Sequence, residues 1–405
     1  MWGVSTTNSS PTRRPRNRRA LILAAAMDRF QENGYQATGM EDIASAVGIT
    51  AGGLYRHFRG KQELLGIALL DSTEQLLNVM TGADDLASLT RTMASFSLDH
   101  RSYPVVWDRE TRHLSTLHQD EVRRRHAQIA ASLGEALQVT RPELAPQDVS
   151  LLGWAAVAVL ASPSFHRTEL PRRRYEDLLQ SLAEAVCRTQ LSPPAPSGPT
   201  PGPAPETATR RGLTPASRRE ALLAAAVPLF AERGFQSVSM EDIGAVLGIS
   251  RLSVYHQFPG GKGDLLAAVL HRASEAKWAT LVQDLAQSAT PQEGLERLLR
   301  SHARSNVLDH GTGALLLVSE LAHFPTAHQE AMHQAQVDYV AEWIALLRAC
   351  RRDLDQAEAR VTVHAALTLL NLLPRRSEIT ARPDAASALV ELGLAVLGIQ
   401  ESARA

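Results

Sequence analysis

An ungapped internal repeat is the feature that most constrains how this chain can fold. Residues 18–58 align with residues 218–258 at a constant shift of 200, and about 40 % of the positions are identical. The identities include Gly34 with Gly234, residues 40–43 with 240–243, and Tyr55 with Tyr255. Chance similarity would scatter its matches along the segment, so we interpret the chain as the product of a duplication.

The segment between the two copies is predicted to be a linker. Residues 191–217 contain eight prolines and few apolar side chains. Because proline lacks a backbone N–H and fixes φ, this segment cannot form a helix interior or a packed core. We expect a semi-rigid spacer that is long enough to place the two halves side by side. Elsewhere apolar residues recur every three or four positions, which predicts an all-α fold.

Each copy carries the pattern of three short helices. After a first amphipathic helix, Thr38 with Glu41 three residues later predicts a capping box at the start of a second helix. Thr50 is the predicted N-cap of a third helix, which is expected to bury Leu54 and Phe58. Two short helices joined by a tight Gly-containing turn predict a helix-turn-helix.

The sequence GYQATGMEDIASAVGITAGGLYRHFRGKQELL resembles the DNA-binding domain of the TetR/AcrR family of bacterial repressors. The resemblance covers nearly fifty residues per copy and includes LYRHF followed three residues later by a lysine. The second copy, ISRLSVYHQFPGGKGDLL, is similar and has one extra glycine. The resemblance implies two TetR-like units, each an N-terminal three-helix helix-turn-helix domain followed by a helical ligand-binding and dimerisation domain.

The predicted domain boundaries follow from the repeat and the resemblance. They are 13–63 and 213–265 for the helix-turn-helix domains, 64–190 and 266–400 for the ligand-binding and dimerisation domains, and 191–212 for the Pro-rich linker. In this family two terminal helices of each ligand-binding domain form a four-helix bundle with a partner. Residues 148–161 with 172–188, and 355–373 with 384–398, are apolar enough for that role, and a core inside each domain explains them equally well.

The outward face of the predicted recognition helix suits a DNA groove. Ala51, Gly52 and Gly53 are small enough for the helix axis to approach base edges. The resemblance implies that polar side chains beside them hold phosphates, and arginines ahead of each copy are placed to enter a minor groove or follow the backbone. The predicted DNA-binding residues are Arg16, Arg18, Thr38, Thr50, Ala51, Gly52, Gly53, Tyr55, Arg56, His57 and Lys61 in the first copy, and Arg218, Ser239, Ser250, Arg251, Ser253, Tyr255, His256 and Lys262 in the second.

Charge and side-chain differences bear on how many copies bind DNA. The net charge is about +5 over residues 13–61 and about +3 over residues 210–262, in a chain whose total is −1. In the second copy, however, Leu252 stands where the family usually has a small residue, and Gln257 replaces His57. The alternative hypothesis is therefore that only the first helix-turn-helix binds DNA, while the second unit is a dimerisation or sensing module.

An unknown small-molecule effector is the second expected partner. The segment SPSFHR at residues 162–167 is similar to regulators thought to sense lipid acyl-CoA esters, so a lipidic or acyl-CoA-like ligand is one expectation. Candidate ligand residues are polar or aromatic side chains within apolar helices, and a role in the core or at the surface is the alternative for each. They are Trp107, His113, Trp154, His166, Glu320, His323, Trp343, His364 and Asn371.

Several function classes lack the residues that they need. The chain has no GxSxG, GxxxxGK[ST], GxGxxG or HExxH motif, so we expect no enzyme, cofactor or metal site. Its longest uncharged apolar run, residues 151–161, is shorter than a bilayer span, so we expect a cytoplasmic protein without a membrane partner. The sequence thus predicts a regulator, in particular a repressor, that binds double-stranded operator DNA as an internal pseudo-dimer or as a homodimer.

Overall fold

The computed structural model describes residues 18–192, 215–309, 311 and 326–400. In these ranges all regular secondary structure is helical, which confirms the all-α prediction. We refer to residues 18–192 as unit 1 and to residues 215–400 as unit 2. Unit 1 contains α1 (Arg18–Ala37), α2 (Met40–Ala46), α3 (Ala51–Tyr55), α4 (Lys61–Met80), α5 (Leu86–Asp99), α6 (Ser102–Glu110), α7 (Thr116–Thr140), α8 (Pro146–Ala161) and α9 (Arg172–Arg188).

Unit 2 repeats this order over its described residues. It contains α10 (Arg218–Arg233), α11 (Met240–Leu247), α12 (Arg251–Gln257), α13 (Lys262–Ala286), α14 (Pro291–Leu308), α15 (Thr326–Cys350), α16 (Gln356–Leu372), α17 (Ser377–Thr380) and α18 (Ala385–Leu397). Most of the predicted linker, and the unit 2 segment that corresponds to α6, lie outside the described residues.

A glycine breaks the first helix of each unit at the same place: α1 is interrupted at Gly34, three residues before its last residue Ala37, and α10 ends just before Gly234. Gly34 has φ 76° and Gly234 has φ 77°, in the left-handed region that other residues rarely adopt. The chain therefore turns there and packs the next helix against the buried Phe30 or Phe230. This confirms the predicted end of the first helix near Gly34.

The predicted capping box at Thr38 is wrong. The Thr38 hydroxyl is buried and donates to the carbonyls of Gly34 (2.7 Å) and Arg29 (3.1 Å), so it closes the turn from inside and is not available to DNA. Helix α2 begins instead after Gly39, whose N–H donates to the Asp42 carboxylate at 2.7 Å. In unit 2 the side chain of Ser239 caps α11 in the corresponding place.

The helical regions that follow the first three helices of each unit are also repeated, with a shift of 210. Arg141 donates to the Cys187 carbonyl at the end of α9 at 2.9 Å, and Arg351 donates to the Leu397 carbonyl at the end of α18 at 3.3 Å. Each arginine also binds the acidic residue two positions later. The donor and the acceptor of each contact in unit 1 lie 210 residues before those of the equivalent contact in unit 2. The duplication therefore extends beyond the first three helices of each unit.

Helices of both units form one four-helix bundle. α8 packs on α9, α16 packs on α18, and the two pairs meet through α8 against α16 and α9 against α18. The stretch Pro146–Phe165 is long and apolar enough to cross a bilayer, but 78 % of its most apolar window is buried inside the fold. The helix is apolar all round because it packs against helices of its own unit and of the other unit.

Two side-chain contacts across this bundle involve equivalent positions of the two units, although the residues differ. The His166 ring stacks on His364 with centroids 4.4 Å apart, and the Arg376 guanidinium lies 3.1 Å from the centroid of the Trp154 ring. At a shift of 210, Trp154 corresponds to His364 and His166 to Arg376. The same two positions therefore meet twice with the units exchanged, as in the interface of a two-fold dimer.

Packing keeps four histidines uncharged at neutral pH. Burial lowers the pKa of His126 to about 4, of His166 to about 2, of His302 to about 3 and of His364 to about 4. In the unfolded chain each would titrate near 6.5. The native state therefore binds fewer protons than the unfolded state at pH 5.

We expect the free energy of unfolding to fall as the pH is lowered from 7 to 5, because each of these histidines gains a proton only on unfolding. The stabilisation is complete above about pH 6.5 and is lost on acidification. Urea titrations at both pH values measure it. His364→Phe, which keeps a ring against His166, should reduce the difference, and equal unfolding free energies at pH 7 and 5 would contradict this account.

Candidate nucleic-acid interface

The start and the inner face of α3 are fixed by two kinds of contact. The Thr50 hydroxyl accepts the N–H of Gly53 at 3.1 Å, which confirms Thr50 as the N-cap. Leu54 and Phe58 are fully buried beneath the helix. The opposite face is therefore directed to solvent, and Tyr55 on its edge is 54 % exposed. Gly52, Arg56 and His57 are exposed, and Ala51 and Gly53 are partly exposed.

Helix α12 repeats this geometry with different outward side chains. The Ser250 hydroxyl accepts the N–H of Ser253 at 3.4 Å, while Val254 and Phe258 are buried. His256 is exposed and Tyr255 is partly exposed at the position of Tyr55. Both predicted recognition helices thus have the same cap and the same buried anchors.

Arg251 is paired in the absence of DNA. Its guanidinium lies 2.7 Å from the Glu241 carboxylate and 5.4 Å from the centroid of the Tyr255 ring. Both charged groups are largely exposed, and exposed ion pairs contribute little stability, so the pair can open at small cost. Arg251 remains a predicted DNA contact, with Glu241 as the competitor for its charge.

Leu252 is a candidate contact that sequence reasoning treated only as a departure from the family. Its side chain is 82 % exposed in the outermost turn of α12. Apolar side chains on a recognition helix contact the methyl group of thymine in the major groove. The sequence contains a signal for this contact, because the repeat aligns the large apolar Leu252 with Gly52 on the outward face.

The arginines at the start of each unit lie beside these helices. The Arg19 guanidinium is 5.6 Å from the centroid of the Phe58 ring, and that of Arg219 is 4.5 Å from the Phe258 ring. These cation–π contacts hold the first turn of α1 and α10 next to the end of the recognition helix. Arg18 is partly exposed and Arg218 is exposed, and Arg16 lies outside the described residues.

Without DNA, Lys61 is held by backbone carbonyls, and its phosphate contact stays a prediction. Its ammonium donates to the carbonyls of Tyr35 (2.6 Å), Gln36 (3.2 Å) and Thr38 (2.9 Å), and burial lowers its pKa. An ammonium has three hydrogens, and these three acceptors account for all of them. Lys262 donates to the Phe235 and Gln236 carbonyls at 2.7 and 3.3 Å. Both lysines therefore stabilise the corner between the first two helices of their unit.

The candidate ligand residues do not share one site. Trp107 lines a cavity in unit 1, between α5, α6, α7 and α8. His113 stacks on Tyr35 of the helix-turn-helix with centroids 4.7 Å apart. Trp343 and Asn371 lie in the unit 2 core, where His302 contacts both. Trp154, His166 and His364 lie at the contact between the units, and Glu320 and His323 lie outside the described residues.

His126 is a cavity residue that sequence reasoning missed. It lies under Trp107, with ring centroids 4.0 Å apart, and its Nε2 is 2.5 Å from the Tyr103 hydroxyl. In the sequence it follows three arginines on a strongly charged stretch of helix, which resembles an exposed surface. Only the packing of α6 over α7 shows that it is buried.

We expect Lys61→Met to destabilise the fold by about 2 kcal/mol, because three carbonyls lose a charged donor. The slope of log affinity for operator DNA against log salt should stay unchanged. Arg56→Met is the matched control: it removes an exposed cation beside the recognition face, and neutralisation of one phosphate by Arg56 would appear as a slope lower by about 0.9. The slopes are measured by fluorescence anisotropy at a temperature where the Lys61→Met variant is folded. A reduced slope for Lys61→Met would show that Lys61 contacts a phosphate.

Comparison with known proteins agrees with this geometry. The family model for bacterial regulatory proteins of the tetR family matches residues 22–66 and again residues 222–269. The HTH-type transcriptional repressor KstR2 of Mycolicibacterium smegmatis is 34 % identical over 113 residues, which cover 26 % of this chain and 55 % of that protein. The HTH-type transcriptional activator FasR of the same organism is 29 % identical over 113 residues, covering 25 % and 52 %.

Solved structures give the same picture of partial coverage. A TetR-family regulator from Bordetella parapertussis is 20 % identical with a TM-score of 0.41 and covers 44 % of this chain and 95 % of its own. The chain spans about half the length of the curated relatives that it matches. The family model matches once in each unit, at the helices whose geometry is repeated, so the chain carries two TetR-type helix-turn-helix domains in tandem.

Proposed function

We propose that this chain is a cytoplasmic transcriptional regulator in which both helix-turn-helix domains bind operator DNA, and that it acts as a ligand-responsive repressor. The observation that carries the proposal is the shared geometry of α3 and α12. Each has a hydroxyl N-cap, buried anchors beneath it, and a tyrosine at the same edge, exposed in α3 and partly exposed in α12. Helix N-termini and tyrosine hydroxyls suit phosphate oxygens on either side of a groove.

The four-helix bundle supports a pseudo-dimer made from one chain. The Arg382 guanidinium binds the Asp148 carboxylate across the units at 2.8 Å, and its side chain is only 8 % exposed. At the other end of the bundle, Arg174 binds Glu358 at 2.7 Å. Because each unit covers the other's apolar helix pair, no equivalent face of this bundle remains for a second chain.

The unlike recognition faces imply an unlike operator. Helix α3 directs small residues outward, whereas α12 directs Arg251 and the exposed Leu252. A symmetric dimer reads a palindrome because its two reading helices are identical. A chain with two different reading helices is expected to prefer half-sites of different sequence, about one helical turn or ~34 Å apart.

Helix α6 offers a route from a ligand to the DNA-binding domain. Trp107 lies at the unit 1 cavity, and two residues later Arg109 donates to the carbonyls of Phe30 and Gln31 in the last turns of α1. A ligand that favours a different position of α6 would therefore change the orientation of α1. This supports the ligand-responsive part of the proposal.

We expect purified protein to have the 44.0 kDa mass of a single chain in light scattering, and one chain to bind one operator duplex. Selection from random duplex DNA should yield a site with two unlike halves. A particle of twice that mass bound to a palindrome would contradict both expectations.

Tyr55→Phe and Tyr255→Phe form a matched pair for testing which units bind DNA. Each is expected to weaken operator binding about five- to tenfold, because one hydrogen bond to a charged phosphate is lost. Tyr35→Phe, whose ring lies under Lys61 away from the recognition face, is the control and should leave affinity unchanged. If only Tyr55→Phe weakens binding, the second unit is a dimerisation or sensing module instead.

A further inference from the structure

A short segment of unit 1 contacts the same corner of both helix-turn-helix domains. The segment, residues 109–113, ends α6 and continues into the turn before α7. The corners are at Gly34 and Gly234, where the chain turns between the first and second helices of each domain. These two glycines are equivalent in the internal repeat. One piece of chain therefore connects the two domains that are proposed to bind DNA.

The segment is fixed to the first helix-turn-helix domain by contacts within unit 1. The Arg109 guanidinium donates to the Gln31 carbonyl at 3.0 Å. The His113 ring stacks on Tyr35 with centroids 4.7 Å apart, and the His113 carbonyl accepts the Gln62 amide at 2.9 Å. Contacts from α1 and from the start of α4 therefore hold residues 109–113 against the first domain.

Arg112, in the middle of the segment, contacts the second helix-turn-helix domain. Its guanidinium lies so close to Gly234 that a Cβ there would be 3.1 Å from Nε and 3.2 Å from Cζ. The absence of a side chain at Gly234 permits this approach. The Nε and Nη1 atoms of Arg112 are buried, so the contact is shielded from solvent. Helix α6 is also held to unit 2 by the buried ion pair between Asp108 and Arg375.

The arginine at this position is present in unit 1 only. The shift of 210 between the units aligns Glu110 and His113 with residues of the same type in unit 2. At that shift Arg112 corresponds to Ala322. The sequence has thus kept the neighbours of this position in both units and changed the position itself. Replacing Arg112 by alanine makes the two units the same there.

Each corner is closely connected to the recognition helix of its domain. Lys262, the first residue of α13, donates to the carbonyls of the two residues that directly follow Gly234. Helix α12 ends shortly before Lys262. In unit 1, Lys61 donates to the equivalent carbonyls after Gly34. A displacement of either corner therefore moves the recognition helix with it.

We propose that Arg112 is a positioning residue that fixes the separation of α3 and α12, and with it the spacing of the half-sites that the chain binds. The proposal deepens the DNA-binding function proposed above and rests on it. Helix α13 and the buried Met332 of α15 attach the second helix-turn-helix domain to its own unit. Arg112 attaches the same domain to unit 1, so the domain is oriented before DNA binds and less freedom is lost on binding.

A fixed separation makes DNA binding sensitive to the distance between the half-sites. Two inserted base pairs move one half-site by ~7 Å along the duplex and rotate it by ~70° about the axis. A rigid pair of recognition helices then engages only one half-site and loses an avidity gain of about 100-fold or more. A flexibly joined pair keeps both contacts over a range of spacings.

The first test compares two operator duplexes that differ only in spacing. The wild-type protein should bind the selected operator at least about 100-fold more tightly than the same operator with two base pairs inserted between its half-sites. For Arg112→Ala this ratio should fall to about tenfold or less. Arg124→Ala, which removes an exposed arginine paired with Glu121, is the control and should keep the wild-type ratio. A general loss of stability lowers binding to both duplexes and leaves the ratio unchanged.

The second test measures the separation of the domains without DNA. Spin labels are attached through Glu32→Cys and Glu232→Cys, at equivalent exposed positions of α1 and α10, in a full chain whose Cys187 and Cys350 are replaced by alanine. Pulsed electron paramagnetic resonance should give a narrow distance distribution, which broadens or shifts in Arg112→Ala. Arg112→Met, which keeps the apolar stem and removes the guanidinium, takes its place in both tests if the alanine variant does not fold.

Three results would overturn the proposal. They are a wild-type protein that tolerates the inserted base pairs, a folded Arg112 variant with the wild-type binding ratio, and a distance distribution that the Arg112 variants leave unchanged. If selection from random DNA yields a single half-site, the proposed function of the second domain fails instead. The spin-label distances are measured without DNA, so they still decide whether Arg112 positions that domain.

Discussion

The arrangement of the molecule depends on the packing of α8 against α16. Neither helix has a polar side to show to water along most of its length, so each needs apolar partners all round. Its own unit supplies only part of that cover, and the other unit supplies the rest. The same contact connects the two helix-turn-helix domains through a rigid bundle, and the short effective separation of two units in one chain favours their pairing over pairing between chains.

A single segment of unit 1 contacts the parts that a regulator must coordinate. Helix α6 covers the cavity with Trp107, binds Arg375 of unit 2 through Asp108, and binds α1 through Arg109. Just beyond it, the Arg112 guanidinium lies so close to Gly234 that a Cβ at that glycine would be 3.1 Å from its Nε. Unit 1 therefore contacts the helix-turn-helix of unit 2 as well as its own. A change at one cavity can reach both DNA-binding domains by direct contact.

Local features of the fold were predictable from the sequence, and long-range ones were not. The ends of the first helices, the N-caps at Thr50 and Ser250, and the buried anchors of α3 follow from residues a few positions apart. The role of Lys61 does not, because its acceptors lie more than twenty residues earlier and meet it only after folding. The choice between a bundle within a unit and one across units depended on contacts between distant helices.

The candidate sites also combine local features, which the sequence predicts, with long-range features, which it does not. The positions of α3 and α12 were predictable from the sequence, and Trp107 lines the unit 1 cavity, while its role in ligand binding stays a prediction. The other described ligand candidates are spread over the unit 1 junction, the unit 2 core and the contact between units. Polar residues in apolar helices mark burial without telling which cavity, if any, they face.

If one chain alone occupies an operator, as proposed above, the shared bundle also changes how the protein responds to its own abundance. A repressor that must first dimerise loses activity on dilution, because its active form varies with the square of the subunit concentration once dimers dissociate. Here the contact of His166 with His364 and that of Arg376 with Trp154 form within one chain. Operator occupancy would then follow the first power of protein concentration down to a few molecules per cell. Mixed dimers with related single-unit regulators would also be disfavoured, since the bundle faces are already covered.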